Sequence, residues 1–278
     1  MITAEYLRPR LLPRENESHK GNYGHLLIVA GCQSMPGAAV LATGAALVSG
    51  CGLVTLHSTE RALQAVVNDF PSAMLSEDQG DFFSRVPESL ERYSAIAVGP
   101  GLGRDAMMAE ALRTLLSSAK DIPMVLDADA LNLISEHPEM MGLIPKGSIL
   151  TPHLGELRRL EPFNDGPEAA QSLSAKSGSV VVLKGYHSRI FVPDGISLVN
   201  ATGNPGMAKG GSGDVLTGLV GGLLARGYSA LDAAALGVWI HGFAGDRLTE
   251  ARTAEAYSSR DLIDWIHMGF KELQSPGI

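Results

Sequence analysis

The stretch Asn200-Ala-Thr-Gly-Asn-Pro-Gly-Met-Ala-Lys-Gly-Gly-Ser-Gly-Asp-Val-Leu-Thr-Gly218 holds the residues best suited to chemistry. Eight of the twenty residues from 203 to 222 are glycine, and the run leads straight into an apolar, helix-like segment. Gly210, Gly211 and Gly213 permit positive φ and let backbone N–H groups converge on one anion. A helix starting near Asp214 adds the positive end of its dipole. A carboxylate at that spot repels phosphate unless it has another task. Accepting the proton of a hydroxyl that attacks phosphorus is such a task. An ordinary Asp, with a pKa of about 3.9, is a weak base for an alcohol. In the loose transition state of phosphoryl transfer that proton can move late, so position counts for more than basicity. The plainer alternative is that Asp214 only caps a helix after a flexible loop; the run Gly-Ser-Gly-Asp weighs toward chemistry.

Other nucleotide fingerprints are missing. A P-loop needs Gly-Lys followed by Ser or Thr, and the chain contains no Gly-Lys dipeptide. G-x-G-x-x-G is absent too, since Gly99-Pro-Gly-Leu-Gly103 has a different spacing. A P-loop kinase and a simple nicotinamide dehydrogenase are both disfavoured.

These residues need elements to position them. Apolar runs at 26–30, 53–57, 95–98, 124–127, 148–151 and 180–183 have the length and branching of buried strands. Segments 37–49 and 105–117 read as helices, with shorter helices between the later strands. The alternation predicts a three-layer α/β/α fold, with a mostly parallel central sheet covered on both faces. Segments 188–192 and 196–199, split by Pro193-Asp-Gly195, predict a hairpin at the sheet edge. Beyond Gly213 the pattern is helical, over about 214–226, 229–249 and 258–270. With no repeat and no linker-like stretch, residues 1–278 read as one domain.

Ligands of open parallel sheets lie beyond the carboxyl ends of the strands. There the chain carries Gly31, Gly99-Pro-Gly-Leu-Gly103, Asp127-Ala-Asp129, Thr151-Pro-His153 and Lys184-Gly185, which together suggest one lined site. Lys184 suits a nucleotide phosphate as a point charge. Asp129 is expected to cap the helix that follows it, with an indirect role in metal binding as the alternative. Lys20 and His25 flank a glycine turn and are read as packing or loop residues. His241 reads as a core histidine, and Asp246 and Arg247 as a solvated helix face. Met107, Met108, Met140 and Met141 are expected to pack.

Composition narrows the partners. Lys and Arg total 22 against 30 Asp and Glu, a formal net charge of −8 with a sequence pI near 5.5. Nucleic acid and anionic membranes select basic surface, so neither fits as the main partner. Apolar residues make up 45% and charged residues 19%, enough for a large core and for subunit interfaces. Glycine numbers 32, where average usage gives about 20. Cys32 and Cys51 are too few for a disulfide framework or a zinc site and read as buried thiols. No leader-like segment and no apolar run of ~20 residues is visible, so a soluble, cytoplasmic protein is expected.

The chain resembles the ADP-dependent NAD(P)H-hydrate dehydratase family of the ribokinase-like superfamily. The resemblance is carried by Lys20-Gly-Asn-Tyr-Gly24, Met35-Pro-Gly-Ala-Ala39, Gly99-Pro-Gly-Leu102, Asp127-Ala-Asp-Ala-Leu131, Thr151-Pro-His-Leu-Gly-Glu156, Val182-Leu-Lys-Gly185, Asn204-Pro-Gly-Met-Ala208 and Gly210-Gly-Ser-Gly-Asp214. These motifs follow the family's order from about residue 18 to 246 and are specific together. The resemblance implies a ribokinase-like fold and a lyase that repairs NADH or NADPH hydrated at C6 of the nicotinamide ring. Phosphorylating the ring hydroxyl converts a poor leaving group into phosphate, which the ring nitrogen can expel, giving NAD(P)H, AMP and phosphate.

On the same resemblance Asp214, with Gly211 and Gly213, is catalytic, while Ala39, Gly101, His153, Asn204 and Asp214 meet the hydrated substrate. Lys184, Gly185, Tyr186, His187, Ser188 and Gly213 meet ADP or AMP. Glu156 would act on Mg²⁺ through water. His153 stands where related vitamin kinases carry Asn, which suits the dehydratase. A homo-oligomer, a tetramer in the family's pattern, is implied. With nineteen residues ahead of Lys20, the epimerase fused in many family members would be a separate chain. The runner-up is a hydroxymethylpyrimidine- or hydroxyethylthiazole-type kinase, and a nucleotide sensor without turnover is the reading from another class.

Overall fold

The computed structural model describes residues 1–275. Strand β1 (His25–Val29) is buried at all five positions, and its residues alternate in the core they serve. Leu26 and Ile28 enter one apolar cluster while Leu27 and Val29 enter another. A strand buried on both faces needs a continuous apolar run, the pattern of a parallel sheet. Its parallel companions are β2 (Leu53–Thr59), β3 (Met74–Asp78), β4 (Ala95–Val98), β5 (Met124–Leu126), β6 (Ile149–Leu150) and β7 (Val180–Leu183). The expected hairpin, β8 (Arg189–Phe191) and β9 (Ser197–Val199), adds antiparallel at one edge. The strand order is β3-β2-β1-β4-β5-β6-β7-β8-β9. The chain therefore leaves β1 in one direction and returns to β4 on its other side, and that switch point opens a crevice at the carboxyl ends.

The helices are α1 (Ala4–Leu7), α2 (Pro36–Leu47), α3 (Glu60–Asp69), α4 (Ala106–Ser118), α5 (Ala128–Glu136), α6 (Leu154–Leu160), α7 (Gly166–Ser177), α8 (Ser212–Ala225), α9 (Ala230–Ala251) and α10 (Ser259–Gln274). Helices α2, α3, α8, α9 and α10 pack on the Leu26 face and α4 to α7 on the Leu27 face, completing three layers. At the centre, α2 and α8 meet backbone to backbone: a Cβ at Gly218 would lie 1.9 Å from the Ala42 carbonyl oxygen. Small residues let this apolar helix approach so closely. No described helix is long and apolar enough to cross a membrane.

Three elements lie outside the sequence expectations, the short α1 among them. Strand β3 is an edge strand whose Met74, Leu75 and Glu77 are exposed, so no buried run marks it. Helix α3 follows β2 directly, with Glu60 in its first turn. Met107 was expected to pack and is instead 58% exposed on α4.

Candidate active site

Helix α8 begins two residues earlier than the sequence suggests, and the difference matters. Gly211 is its N-cap with φ +89°, a conformation a Cβ would strain. Gly210 and Gly213 do not need that region; Gly213 already lies in the first turn. The first i→i−4 bond runs from Val215 N–H to the Gly211 carbonyl at 3.1 Å. The amides of Gly213 and Asp214 precede it and point off the helix start. Asp214 therefore stands in the first turn rather than at the cap, a correction to the capping alternative. Its carboxyl is pushed up to about 6: burial acts first, Asp127 adds to it, Lys184 opposes and Asp129 adds again.

Lys184 follows β7 and reaches the same point. Its Nζ lies 2.5 Å from Asp127 Oδ1 and 3.7 Å from Glu156 Oε2, and a Cβ on Gly213 would sit 3.5 Å from it. Burial works against its charge, but Asp127 and Glu156 outweigh that and raise its pKa. Asp127 is 1% exposed, and its other oxygen accepts the Thr217 hydroxyl at 2.6 Å. One buried carboxylate thus ties the lysine strand to α8. Asp127 precedes α5 without capping it, because Ala128 has φ +48°, which turns the chain sharply between the two aspartates. Asp129 does not cap the helix either; its Oδ2 accepts the Gly103 N–H at 2.8 Å, holding the β4 exit loop.

His153 and Glu156 form a reciprocal cap on α6. His153 Nδ1 accepts the N–H groups of Gly155 and Glu156 at 2.9 and 3.1 Å, and His153 N–H donates to Glu156 Oε2 at 2.8 Å. With Nδ1 accepting, Nε2 carries the hydrogen on a half-exposed ring and lies 3.3 Å from Glu156 Oε1. Burial raises the Glu156 carboxyl, with Lys184 opposing. Among the described residues no three His, Cys, Asp or Glu side chains cluster as a metal cage. Glu156 instead suits a hydrated cation that arrives on nucleotide phosphates and is reached through water.

The remaining predicted residues divide. Gly185 to Ser188 form the exposed β7–β8 turn, where the Tyr186 ring is 74% exposed and lies 3.9 Å from that of His187. Gly101 lies against Met35 and Ala38 in the crevice. Ala39 is fully buried and packs under Gly31, so its side chain does not line the site. Asn204 is held within the loop: its amide donates to Asp246 at 2.9 Å, while its oxygen accepts from Gly206 N–H and the Thr249 hydroxyl.

Asp246 is no solvated face, because it also accepts the Gly203 N–H at 2.9 Å. Lys209 donates to the Ala254 and Tyr257 carbonyls. These contacts anchor the glycine loop on α9 and the segment after it. Sequence spacing carried no sign of Thr217, Lys209 or Asp246, whose partners are tens of residues away.

The fold and the glycine–aspartate turn define a ribokinase-like architecture. A ribokinase from Arabidopsis thaliana aligns with TM-score 0.61 at 11% identity, covering 91% of this chain and 99% of its own, a likeness of fold alone. The family model described as NAD(P)H-hydrate dehydratase matches residues 26–268. The ADP-dependent (S)-NAD(P)H-hydrate dehydratase of Neisseria meningitidis is 40% identical over 86% of this chain and 81% of its own length. An ADP/ATP-dependent NAD(P)H-hydrate dehydratase from Bacillus subtilis, co-crystallised with ATP and Mg²⁺, superposes with TM-score 0.86 at 32% identity over 98% of both chains. The chain also matches the bifunctional NAD(P)H-hydrate repair enzyme of Moorella thermoacetica at 36% identity, over 99% of itself but only 54% of that protein, so it spans about half of such relatives. The chain belongs to the NAD(P)H-hydrate dehydratase family, whose named members are lyases, and these matches support that reading rather than the vitamin-precursor kinase.

Proposed function

We propose that this chain dehydrates the S epimer of hydrated NADH and NADPH at the expense of ADP, with Asp214 as the base. The observation carrying this reading is Asp214 in the first turn of α8, among unbonded helix-start amides and beside Lys184. Asp214 takes the proton of the C6 hydroxyl as its oxygen bonds to the β-phosphorus of ADP and AMP leaves. Lys184 and the amides of Gly213 and Asp214 meet the charge spreading over the transferring group. The ring nitrogen then expels phosphate, and loss of the C5 proton restores NAD(P)H. A pKa near 6 makes Asp214 a better acceptor than an ordinary Asp while leaving it ionised at neutral pH.

His153 Nε2–H and the Gly101 turn hold the hydrated ring, and Gly185 to Ser188 flank the adenylate. Mg²⁺, held through water near Glu156, would supply neutralisation of phosphate charge when bound with the nucleotide. The family pattern further supports a homotetramer and an epimerase activity that supplies the S epimer.

The test is spectroscopic. Wild-type protein given ADP, Mg²⁺ and hydrated NADH should restore the reduced-nicotinamide absorbance. Asp214→Asn should abolish the recovery while AMP binds within about twofold of wild type. A flat wild-type trace refutes the reading, and phosphorylation of a hydroxymethylpyrimidine or hydroxyethylthiazole alcohol in its place would install the kinase.

A further inference from the structure

Lys209 spends its charge on backbone rather than on a carboxylate. It stands just ahead of Gly211, the N-cap of α8, and its own carbonyl accepts the Ser212 N–H at 3.3 Å. Lys176 and Lys184 pair with carboxylates. Lys209 instead donates to two backbone carbonyls, that of Ala254 at 2.6 Å and that of Tyr257 at 2.8 Å. The same nitrogen lies over the Tyr257 ring, 3.8 Å from its centroid. An ammonium has three N–H donors. Two meet carbonyls, and an aromatic face, which attracts a cation, covers another side.

Both carbonyls belong to residues 252–258, the connection from α9 to α10. The connection turns tightly, with Ala256 N–H donating to the Thr253 carbonyl at 3.1 Å. Carbonyl oxygens aimed at one point repel each other unless a positive charge lies between them, and such oxygens replace the hydration water of K⁺ in ion filters. The glycine loop rests on this connection at two further places. A Cβ on Gly206 would lie 2.7 Å from the Tyr257 hydroxyl and 3.0 Å from the Ala254 Cα. The Ser259 hydroxyl, at the start of α10, donates to the Gly210 carbonyl at 2.8 Å. The ammonium therefore sits in the seam between the loop that sets the α8 start and the segment supporting it.

We propose that Lys209 is a positioning residue for the α8 start and that its ammonium is a built-in monovalent cation. It occupies the carbonyl-and-ring site that a bound K⁺ or NH₄⁺ would otherwise fill, so turnover needs no added monovalent cation. Removing the ammonium opens that site to a cation from solution. Lys209 touches neither the reacting hydroxyl nor the phosphate; it acts through the placement of the Gly213 and Asp214 amides. The kinetic side of the inference rests on the proposed dehydratase function, and the structural side does not.

Chemical rescue tests it. Wild-type kcat on hydrated NADH, with Mg²⁺ and saturating ADP, should be equal in choline, potassium and ammonium chlorides at one ionic strength. Lys209→Ala in choline chloride should lower kcat about tenfold or more, because small misplacements of reacting groups are costly, with the KM for ADP within about twofold. Propylammonium, which replaces the three carbons and the nitrogen removed, should restore kcat about fivefold or more and leave the wild type unchanged. Lys209→Met, which keeps the stem and fills its space, should lose activity similarly and gain nothing from propylammonium. Hydrogen exchange reads the same anchor without turnover: the Ser212 and Val215 amides of Lys209→Ala should exchange about tenfold faster and regain protection in propylammonium. A wild type that requires potassium, or a folded Lys209→Ala that keeps wild-type kcat and exchange, overturns the proposal. So does a variant defect that propylammonium leaves unmoved, and so does loss of a cooperative melt in both variants, which would make Lys209 a support of the whole fold. Failure of the wild type on hydrated NADH overturns the dehydratase alone, since the exchange result still decides the anchor.

Discussion

Asp214 answers to two demands that oppose each other. As the proposed base it must be ionised, yet burial and two neighbouring aspartates favour its protonated form. Its folded pKa of about 6 exceeds the ordinary 3.8. Protonation therefore stabilises the fold, and that stabilisation is present below about pH 4 and lost as pH rises through 6. Asp214→Asn should accordingly raise Tm at pH 8 by about 2–6 °C, corresponding to about 1–2 kcal/mol, with the gain vanishing near pH 4 in calorimetry. In the wild type, kcat/KM should climb as pH rises toward 6 and level above it, measured with ADP saturating. Thr217 is a second residue-scale test. Thr217→Val leaves a buried Asp127 oxygen without its donor and should cost about 1–3 kcal/mol in denaturant unfolding, while Thr217→Ser stays close to wild type. If valine and serine behave alike, the Asp127 link has no energetic role.

At the scale of elements, the glycine loop is held from behind by α9. Asp246 accepts two hydrogen bonds from Gly203 and Asn204, and Lys209 reaches two carbonyls beyond α9. A loop rich in glycine has large conformational freedom to lose, so these anchors keep the α8 start in the place the proposed phosphoryl transfer needs. Asp246→Ala should lower kcat about tenfold or more while the KM for ADP changes little, because the β7–β8 turn proposed to flank the adenylate is untouched. A drop in ADP affinity with kcat preserved would assign the anchor to the wrong half of the site.

Across the whole molecule, both helical layers press on a sheet whose carboxyl edge carries every proposed group. His241 shows how the core meets that edge: it is buried on α9, and its Nε2 lies 3.4 Å from the Ser212 hydroxyl at the start of α8. Burial lowers its pKa to about 4 from 6.5. A depressed histidine contributes stability that is present above 6.5 and lost as pH falls toward 4. Acid unfolding should therefore steepen in that window by about 1–3 kcal/mol. His241→Gln, which keeps a hydrogen-bonding group and cannot titrate, should flatten the window in urea melts recorded from pH 7 to 4.

Local residue pattern alone dictates the parallel sheet, the hairpin edge and the strand-end residues Asp127, His153 and Lys184. Buried strands need unbroken apolar runs, and side chains at their carboxyl ends converge whatever the details of packing. The turn Gly-Ser-Gly-Asp was legible for the same local reason, since it sits where a loop enters a helix. Strand β3 is not legible in the sequence because an exposed edge imposes no apolar pattern. Only the tertiary structure decided that Ala39 is walled off by Gly31, that Asn204 serves the loop, and that Asp127 spans Lys184 and Thr217. It alone set the proton affinity of Asp214, because burial and charge at that carboxyl come from β5, α5 and β7. Such effects depend on distance through space, which spacing along the chain does not encode.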